Sequence, residues 1–458
     1  MPHRFDPTIL REYDIRGIVG KTLFTADAHA IGRAFAATVA EAGGRRVAVG
    51  YDGRLTSPEL EAALVEGLCE GDADVVRIGR GPTPMLYFAA ATLGVDAGIM
   101  ITGSHNPPDH NGFKLVLGGK AFYGSAIQKL GAAALGLGRA GPNRGRVEEQ
   151  SVFEDYVARL AHDYDGERPL AIAWDPGNGA TGEVVQRLTP MLPGRHVLIN
   201  ETIDGTFPAH HPDPTVAENL VQLQQAVARE GCDLGIGFDG DGDRIGVVDQ
   251  QGRILWGDQL LIVLARDVLA RYPGAPILAD IKASQVLFDE IANAGGKPVM
   301  METGHSLIKA RLAETGGPLA GEMSGHIFYA DRWYGFDDAI YVAVRLLGIL
   351  GRAKESLADI LDRLPPVFNT PELRLACEDE RKFAAVAEVR DRLRRRGAEM
   401  VEIDGVRVNT QDGWWLLRAS NTQAVVTVRA ESTSEAGLAR LKAQLAGELA
   451  RSGITLPE

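Results

Sequence analysis

The chain is poor in cysteine and short of positive charge, and it has no long apolar run. Its three cysteines, Cys69, Cys232 and Cys377, are odd in number and widely scattered over 458 residues. That spacing argues against a disulfide framework or a zinc site and fits reduced cytosolic thiols. Lys and Arg number 48 against 61 Asp and Glu, a formal net charge of −13. No broad basic face can be built from that balance, so general nucleic-acid binding is excluded. No run of eighteen apolar residues occurs, which excludes a membrane-spanning helix. The opening Met1-Pro2-His3-Arg4-Phe5-Asp6 has neither an apolar h-region nor a cleavage site, so a cytoplasmic location is expected. What remains is ordinary globular composition, 45% apolar and 24% charged, at a length that suggests two to four domains.

The densest chemistry lies in Asp239-Gly240-Asp241-Gly242-Asp243-Arg244. Three carboxylates within five residues repel one another unless a cation lies between them, and glycine lets the backbone bring them together. The flanking segments from Leu234 to Phe238 and from Ile245 to Val248 read as strands entering and leaving a tight loop. This pattern predicts a divalent metal, Mg²⁺ in preference, with an anionic substrate group beside it. The bland alternative is a solvated acidic turn. An EF-hand fails because its glycine and closing glutamate positions hold Arg244 and Gln250. A dinucleotide loop over residues 235–240 also fails, since a pyrophosphate would meet carboxylates there.

One unit recurs three times: an apolar strand ending at an aspartate, a helix, and a second apolar strand. The copies run from Val47 to Asp52, Ser57 to Glu70 and Val75 to Ile78; from Leu170 to Asp175, Glu183 to Leu188 and Val197 to Ile199; and from Ile277 to Asp280, Ser284 to Ala294 and Val299 to Met301. Spacings above a hundred residues make this repetition of domains, not a solenoid. The last ninety residues differ. Val406 to Val408, Trp414 to Leu417 and Val425 to Val428 read as strands, and Ser434 to Ala450 as a terminal helix. The proline-rich stretch from Leu364 to Pro371 reads as the linker before them. Four domains are expected, at 1–150, 151–254, 255–366 and 367–458.

Four further stretches carry functional groups, and for each a plain polar turn is the competing reading. Thr102-Gly103-Ser104-His105-Asn106 follows an apolar strand, where α/β proteins place their sites. Adjacent Ser104 and His105 are not expected to pair as in a hydrolase. A phosphorylated Ser104 would instead supply both a metal ligand and a transferable group. Lys114, shortly after, could neutralise a phosphate; the alternative is a surface lysine. Gly321-Glu322-Met323-Ser324-Gly325-His326 alternates a carboxylate, a hydroxyl and an imidazole. In an extended loop these would share one face and suit sugar hydroxyls, with His326 as acid or base. Arg418-Ala419-Ser420-Asn421-Thr422, between two strands, offers a phosphate cradle. Gly177-Asn178-Gly179-Ala180-Thr181-Gly182 fits the dinucleotide pattern, but nothing else offers hydride chemistry and a structural turn is favoured.

These stretches, in this order and together with Tyr13-Asp14-Ile15-Arg16-Gly17, resemble the α-D-phosphohexomutase superfamily across essentially the whole chain. Met323 is similar to the bacterial bifunctional phosphomannomutase/phosphoglucomutase group. The resemblance implies an α/β fold of four domains around a central cleft. Three are related α/β domains with mixed sheets, and the C-terminal α+β domain resembles the TATA-box-binding-protein fold. It further implies that phosphoserine 104 exchanges its phosphoryl group with hexose 1- and 6-phosphates through a hexose 1,6-bisphosphate, which is both intermediate and activator. Mg²⁺ would be held by Ser104, Asp239, Asp241 and Asp243. Catalysis would fall to Ser104, His105, Lys114 and His326, with Arg16. The substrate would be bound by Tyr13, Arg16, Lys114, Arg244, Lys282, Gly304, His305, Glu322, Ser324, His326, Arg418, Ser420, Asn421 and Thr422. The partners implied are small-molecule hexose phosphates, with no obligate protein partner, nucleic acid or membrane. The alternatives are a phosphoglucosamine mutase, a nucleotide-binding protein and a non-catalytic sugar-phosphate binder.

Overall fold

The computed structural model describes residues 3–136, 138, 143–421 and 423–456. Among them the strands form four sheets. The first has seven strands, with Ile15–Ile18, His110–Leu117, Ala97–Ile101, Arg46–Tyr51, Asp74–Arg80 and Val147–Glu149 in spatial order and Lys120–Phe122 paired to His110–Leu117. The second orders Ile254–Leu255, Ile245–Asp249, Leu234–Phe238, Leu170–Asp175 and Gly194–Leu198. The third orders Lys297–Met301, Pro276–Asp280, Leu319–Gly321 and Ile327–Tyr329.

These three sheets share one wiring. The expected β-α-β units are present, with Arg46–Tyr51, Leu170–Asp175 and Pro276–Asp280 each parallel to the strand after its helix. The second unit closes on Gly194–Leu198, a little earlier than the apolar run Val197 to Ile199 suggests. On the other side of each first strand lies another parallel strand that doubles back into an antiparallel one. These hairpins pair Ala97–Ile101 with His110–Leu117, Leu234–Phe238 with Ile245–Asp249, and Leu319–Gly321 with Ile327–Tyr329. Their connections hold Ser104, the three aspartates and the Glu322–His326 segment. The three motif loops therefore occupy one position in three related sheets, at the carboxyl ends of parallel strands, where α/β sites form.

The fourth sheet is antiparallel. Phe368–Asn369, Val425–Ser432, Gly413–Ala419, Val406–Thr410 and Met400–Val401 lie in that order, with Leu373–Ala376 also on Val425–Ser432. Phe368–Asn369 corrects the linker reading. Two residues of that proline-rich stretch form an edge strand, tolerated because prolines flank it where no ladder donor is needed. One apolar core runs through the first three domains and includes Leu86, Trp174, Leu261 and Ile340. The last domain has its own, around Val389, Leu417, Val428 and Leu441. It meets the third domain through a small cluster of Ile281, Trp414 and Leu416 and through buried Arg407, which donates to the carbonyls of Ile281 and Ala283, each at 2.8 Å. The three cysteines are unpaired. Among the described residues no helix is long and apolar enough to cross a membrane.

A buried carboxyl starts the helix Ala339–Arg352. Asp338 accepts from Ile340 N at 3.1 Å, Tyr341 N at 2.9 Å and the Tyr156 hydroxyl at 2.8 Å. Burial is the largest influence and pushes its pKa up to about 7, against those hydrogen bonds. A carboxyl raised in the fold contributes stability that is complete below its unfolded pKa and lost as pH rises through 7. Asp338→Asn keeps a good N-cap and removes the ionisation. It is expected to be more stable than wild type above pH 7, by about 1–3 kcal/mol, and to lose that advantage below pH 5. Thermal melts across this range read the difference.

Candidate active site

The serine loop is built on a buried arginine. Arg54, wholly inaccessible to solvent, donates to the carbonyls of Ser104, Asn106, Pro107 and His110 at 2.7, 2.6, 2.5 and 3.0 Å. Asp52 pairs with it at 3.3 Å and accepts from Gly103 N at 3.1 Å. Ser104 is held at φ +50°, in the left-handed region that non-glycine residues rarely adopt. That turn sets Ser104 Oγ 3.1 Å from Asp239 Oδ2 and 3.2 Å from His105 Nδ1. The neighbouring serine and histidine do touch, contrary to expectation, because the left-handed backbone turns both side chains to one side. Burial, then Arg244 and Arg16, hold the His105 imidazole well below its usual pKa, which disfavours its charged form.

The aspartate loop lies directly beneath. Asp239, Asp241 and Asp243 are fully buried, and one oxygen from each falls within 4.8 Å of the others. Asp239 Oδ1 accepts from the backbone N–H groups of Gly242, Asp243 and Arg244 at 2.9, 3.1 and 3.2 Å. Thr83 and Thr102 hydroxyls reach Asp241 Oδ2 at 2.5 and 3.1 Å. Oδ1 of Asp241 and of Asp243 are buried without a hydrogen-bond partner among the described residues. Burial, then Asp241 and Asp243, push the Asp239 pKa well up. Clustered hard oxygens with two unpartnered atoms fit a divalent cation. The Gly177–Gly182 segment is the backing of this loop. Ala180 N donates to Gly240 O at 2.9 Å, and a Cβ on Gly179 would also lie 2.9 Å from that oxygen, so no pyrophosphate fits there.

Lys114 is no surface lysine. It is 5% exposed and bridges Asp241 Oδ2, at 2.7 Å, and Asp243 Oδ2. Burial disfavours its charge, but these carboxylates outweigh it and raise its pKa well above the usual value. It is therefore an acid or an anion binder, not a resting base. Removing one partner of a buried ion pair typically costs about 3–5 kcal/mol. Lys114→Met is expected to lose stability on that scale in a chelating buffer, and its melting temperature is expected to climb with added Mg²⁺ more steeply than that of wild type.

The third loop is not extended. Glu322 N donates to His326 O at 2.8 Å and Gly325 N to Glu322 O at 3.0 Å, a tight hairpin turn forced by the short connection between paired strands. Glu322, Ser324 and His326 still reach the cleft together. Ser324 Oγ donates to Glu322 Oε2 at 2.8 Å, and Gly304 N to Glu322 Oε1 at 2.6 Å. Arg244 Nε donates to His326 Nε2 at 2.9 Å, and His305 stacks on His326 with ring centroids 5.3 Å apart. Burial holds the His305 pKa well below its usual value. Lys282 lies 3.0 Å from Glu372 and 3.6 Å from Asp280. Met323 does not face the cleft; its sulfur meets the Arg429 guanidinium.

The fourth loop closes the far wall. Arg418 Nε donates to Asp404 Oδ2 at 2.9 Å, and Thr303 N to the same oxygen at 3.1 Å. Asn421 Nδ2 donates to the Tyr13 hydroxyl at 2.9 Å, which in turn donates to Thr303 O at 3.0 Å. Tyr13 thus ties the first, third and fourth domains together. Lys382 supports the loop from behind, donating to Gln423 O at 3.0 Å. Thr422 lies outside the described residues. Arg16, paired with Asp14, donates to Asn106 Oδ1 at 3.0 Å. With the aspartates behind Ser104 and Lys114, one cleft of about 420 Å³ brings together Tyr13, Arg16, Ser104, His105, Lys114, Arg244, Lys282, Gly304, His305, Glu322, Ser324, His326, Arg418, Ser420 and Asn421.

Arg54, Asp52, Asp404, Glu372 and Lys382 escaped the motif reading. Only Asp52 carried a signal, its place at the end of the repeated first strand. Asp280, at the same place in the third copy, likewise accepts from its motif loop, at Met323 N and 3.2 Å.

Three related α/β domains and a fourth, all facing one cleft, are the architecture of an α-D-phosphohexomutase. Models of phosphoglucomutase/phosphomannomutase alpha/beta/alpha domains I, II and III match residues 7–134, 154–252 and 256–368, and that of the C-terminal domain matches 372–448. The phosphomannomutase/phosphoglucomutase of Pseudomonas putida is 44% identical over 451 residues, 96% of this chain and 95% of that protein. The phosphoglucomutase of Neisseria meningitidis serogroup A is 43% identical over 439 residues, 95% of each chain. The crystal structure of a phosphoglucomutase/phosphomannomutase family protein from Burkholderia thailandensis superposes with a TM-score of 0.93 at 44% identity, covering 99% of this chain and 100% of that one. The chain belongs to the phosphoglucomutase/phosphomannomutase family.

Proposed function

We propose that the protein is an isomerase that moves a phosphoryl group reversibly between the 1- and 6-positions of mannose and glucose phosphates, through phosphoserine 104 and a hexose 1,6-bisphosphate. One observation carries this reading: Ser104 over the acidic cluster and the Arg418–Asn421 anion cradle open onto the same cleft from different domains. A sugar with a phosphate at each end needs a reaction site and a separate holding site. We set the domain limits after residues 150 and 366, and after Leu255 instead of residue 254, because Ile254–Leu255 pairs with Ile245–Asp249.

Arg418, Ser420 and Asn421, with Tyr13 and Thr422, hold the phosphate that stays. Glu322, Ser324 and His326 hold sugar hydroxyls, with Lys282, Gly304 and His305 along the middle. The free hydroxyl attacks the Ser104 phosphate, a new O–P bond forms, and the bond from phosphorus to Ser104 Oγ breaks. His326 takes the hydroxyl proton. Lys114, protonated at the acidic cluster and assisted by Arg16, or neutral His105 acting as a relay, supplies the proton that Ser104 Oγ needs. Arg244 braces the phosphoserine. Mg²⁺ held by Asp239, Asp241, Asp243 and phosphoserine 104 would neutralise charge on the transferring group. The bisphosphate then turns over in the cleft and returns its other phosphate to Ser104; free bisphosphate serves as activator by phosphorylating the serine. The separate core of the last domain supports a hinge at 364–371 that lets the intermediate turn.

Turnover of mannose 1-phosphate, glucose 1-phosphate and glucosamine 6-phosphate, each with trace bisphosphate, tests the reading. The first two are expected to be converted at similar kcat/KM and the third far more slowly. Preference for glucosamine 6-phosphate would make the protein a phosphoglucosamine mutase, and no turnover of any would make it a binder.

A further inference from the structure

Asp337 lies in Tyr334-Gly335-Phe336-Asp337, a stretch that no motif marks, yet it is fully buried beside the cleft. Its Oδ1 accepts from Lys309 Nζ at 2.9 Å. Its Oδ2 lies 3.0 Å from His326 Nδ1 and 3.8 Å from His305 Nδ1. Lys309 also reaches the Tyr87 hydroxyl, at 3.3 Å, on the helix Thr83–Thr92 whose first residue bonds Asp241. The carboxylate is thus fixed by Lys309, itself held by Tyr87, before it meets the imidazole.

The opposite edge of the His326 ring decides the proton's place. Arg244 Nε is 2.9 Å from His326 Nε2, and a guanidinium can only donate. Nε2 must therefore be the bare, accepting nitrogen. A neutral imidazole then carries its hydrogen on Nδ1, which lies 3.0 Å from Asp337 Oδ2, within ion-pair distance though off the line of a hydrogen bond, with Asp243 Oδ1 further off at 3.5 Å. Both neighbours of Nδ1 are carboxylates, so nothing there would stabilise the other tautomer.

We propose that Asp337 is a positioning residue for the mutase: it holds His326 in the Nδ1–H tautomer, so that the Nε2 lone pair is available to the substrate. When Arg244 turns from the ring to a phosphate, Nε2 is left free to take the proton of a sugar hydroxyl. His305, stacked on His326 and reached by the same Asp337 oxygen, keeps the ring plane in place. The kinetic part of this inference rests on the role of His326 given above; the tautomer does not.

Asp337→Asn tests it. The amide has the same shape but turns an N–H toward Nδ1, favouring the Nε2–H form. By analogy with other carboxylate–imidazole pairs, kcat is expected to fall about 10²–10⁴-fold with KM changed less than about 3-fold. In a His326→Asn background the same change is expected to cost less than about 3-fold, because both act through one ring. Nitrogen-15 imidazole spectra with glucose 1,6-bisphosphate bound, which draws Arg244 to a phosphate, and with His326 assigned by its absence in His326→Asn, are expected to show Nδ1–H in wild type and Nε2–H in Asp337→Asn. A wild-type His326 with the proton on Nε2 overturns the proposal, and that measurement needs no variant that might fail to fold. Equal losses from Asp337→Asn with and without His326 also overturn it. If His326→Asn alone keeps full activity, the proposed acid–base role fails, and the tautomer spectra decide the positioning by themselves.

Discussion

Ser104→Ala is expected to lower kcat by about 10⁴-fold or more while leaving the fold intact. The magnitude follows from what the oxygen does: with Oγ gone, no phosphoenzyme forms, and nothing is left to carry the phosphoryl group between the two ends of the sugar. The fold is expected to survive because alanine meets the same φ of +50° that serine already tolerates, and the Arg54 bonds reach the Ser104 carbonyl, not its side chain. Two measurements check it. Intact mass of wild type is expected to show a fraction one phosphate heavier, mapping to Ser104 and missing from the variant. A coupled assay with trace hexose 1,6-bisphosphate reads turnover. Full activity of Ser104→Ala under those conditions would show that the phosphoryl group never passes through this residue.

The motif loops were legible because chemistry and period coincide in them. Leu234 to Phe238 and Ile245 to Val248 are apolar enough to be buried strands, and three aspartates between them can only make a loop. The β-α-β repeat was legible for the same reason, and the helices read from Ser284 and from Ser434 do start there, with those serines as their N-caps. What stayed hidden is contact at long range. Arg54 lies fifty residues from the serine loop, and its partners are backbone carbonyls, which leave no mark on a sequence. Asp404 meets Arg418 and Thr303 across two domains, and Asp337 sits in an aromatic stretch that reads as core. The alternation of Glu322, Ser324 and His326 suggested an extended segment. A hairpin turn delivers the same three groups to the cleft, so the side-chain pattern survived an incorrect backbone.

The C-terminal domain shows how two separate cores are docked. Its core is its own, and its contact with the third domain adds specific polar bonds to the small apolar cluster at Ile281, Trp414 and Leu416. Arg407 holds the carbonyls of Ile281 and Ala283, Arg429 reaches Asp258 at 3.3 Å, and Glu431 Oε1 accepts from Gln285 N at 2.9 Å and from the Trp414 ring N–H at 3.0 Å. Directional bonds of this kind specify one docked geometry, where an apolar face alone would allow sliding.

The largest effect on stability is expected from Arg54→Met. Methionine fills much of the space but donates nothing, so four buried carbonyls lose a partner at once and Asp52 loses its ion pair. Uncompensated burial of the partner charge alone costs about 3–5 kcal/mol, and each orphaned carbonyl adds to it. The loss reaches beyond the first domain. The Phe207 ring lies under the guanidinium at 5.1 Å, and Gly205 packs so close that a Cβ would sit 2.6 Å from Arg54 Cα. A loop of the second domain, at Gly205 and Phe207, is therefore seated on the same residue. Melting temperature is expected to fall steeply, and any folded fraction is expected to show kcat lowered about 10²-fold, since Ser104 Oγ is no longer aimed at the acceptor. Arg54→Lys is expected to fall between: an ammonium keeps the charge for Asp52 but cannot span four carbonyls in one plane. Thermal melts and steady-state kinetics of the pair decide the matter. Arg54→Met with wild-type melting and turnover would mean that the strained serine is held by its own loop, and the arginine merely occupies the space.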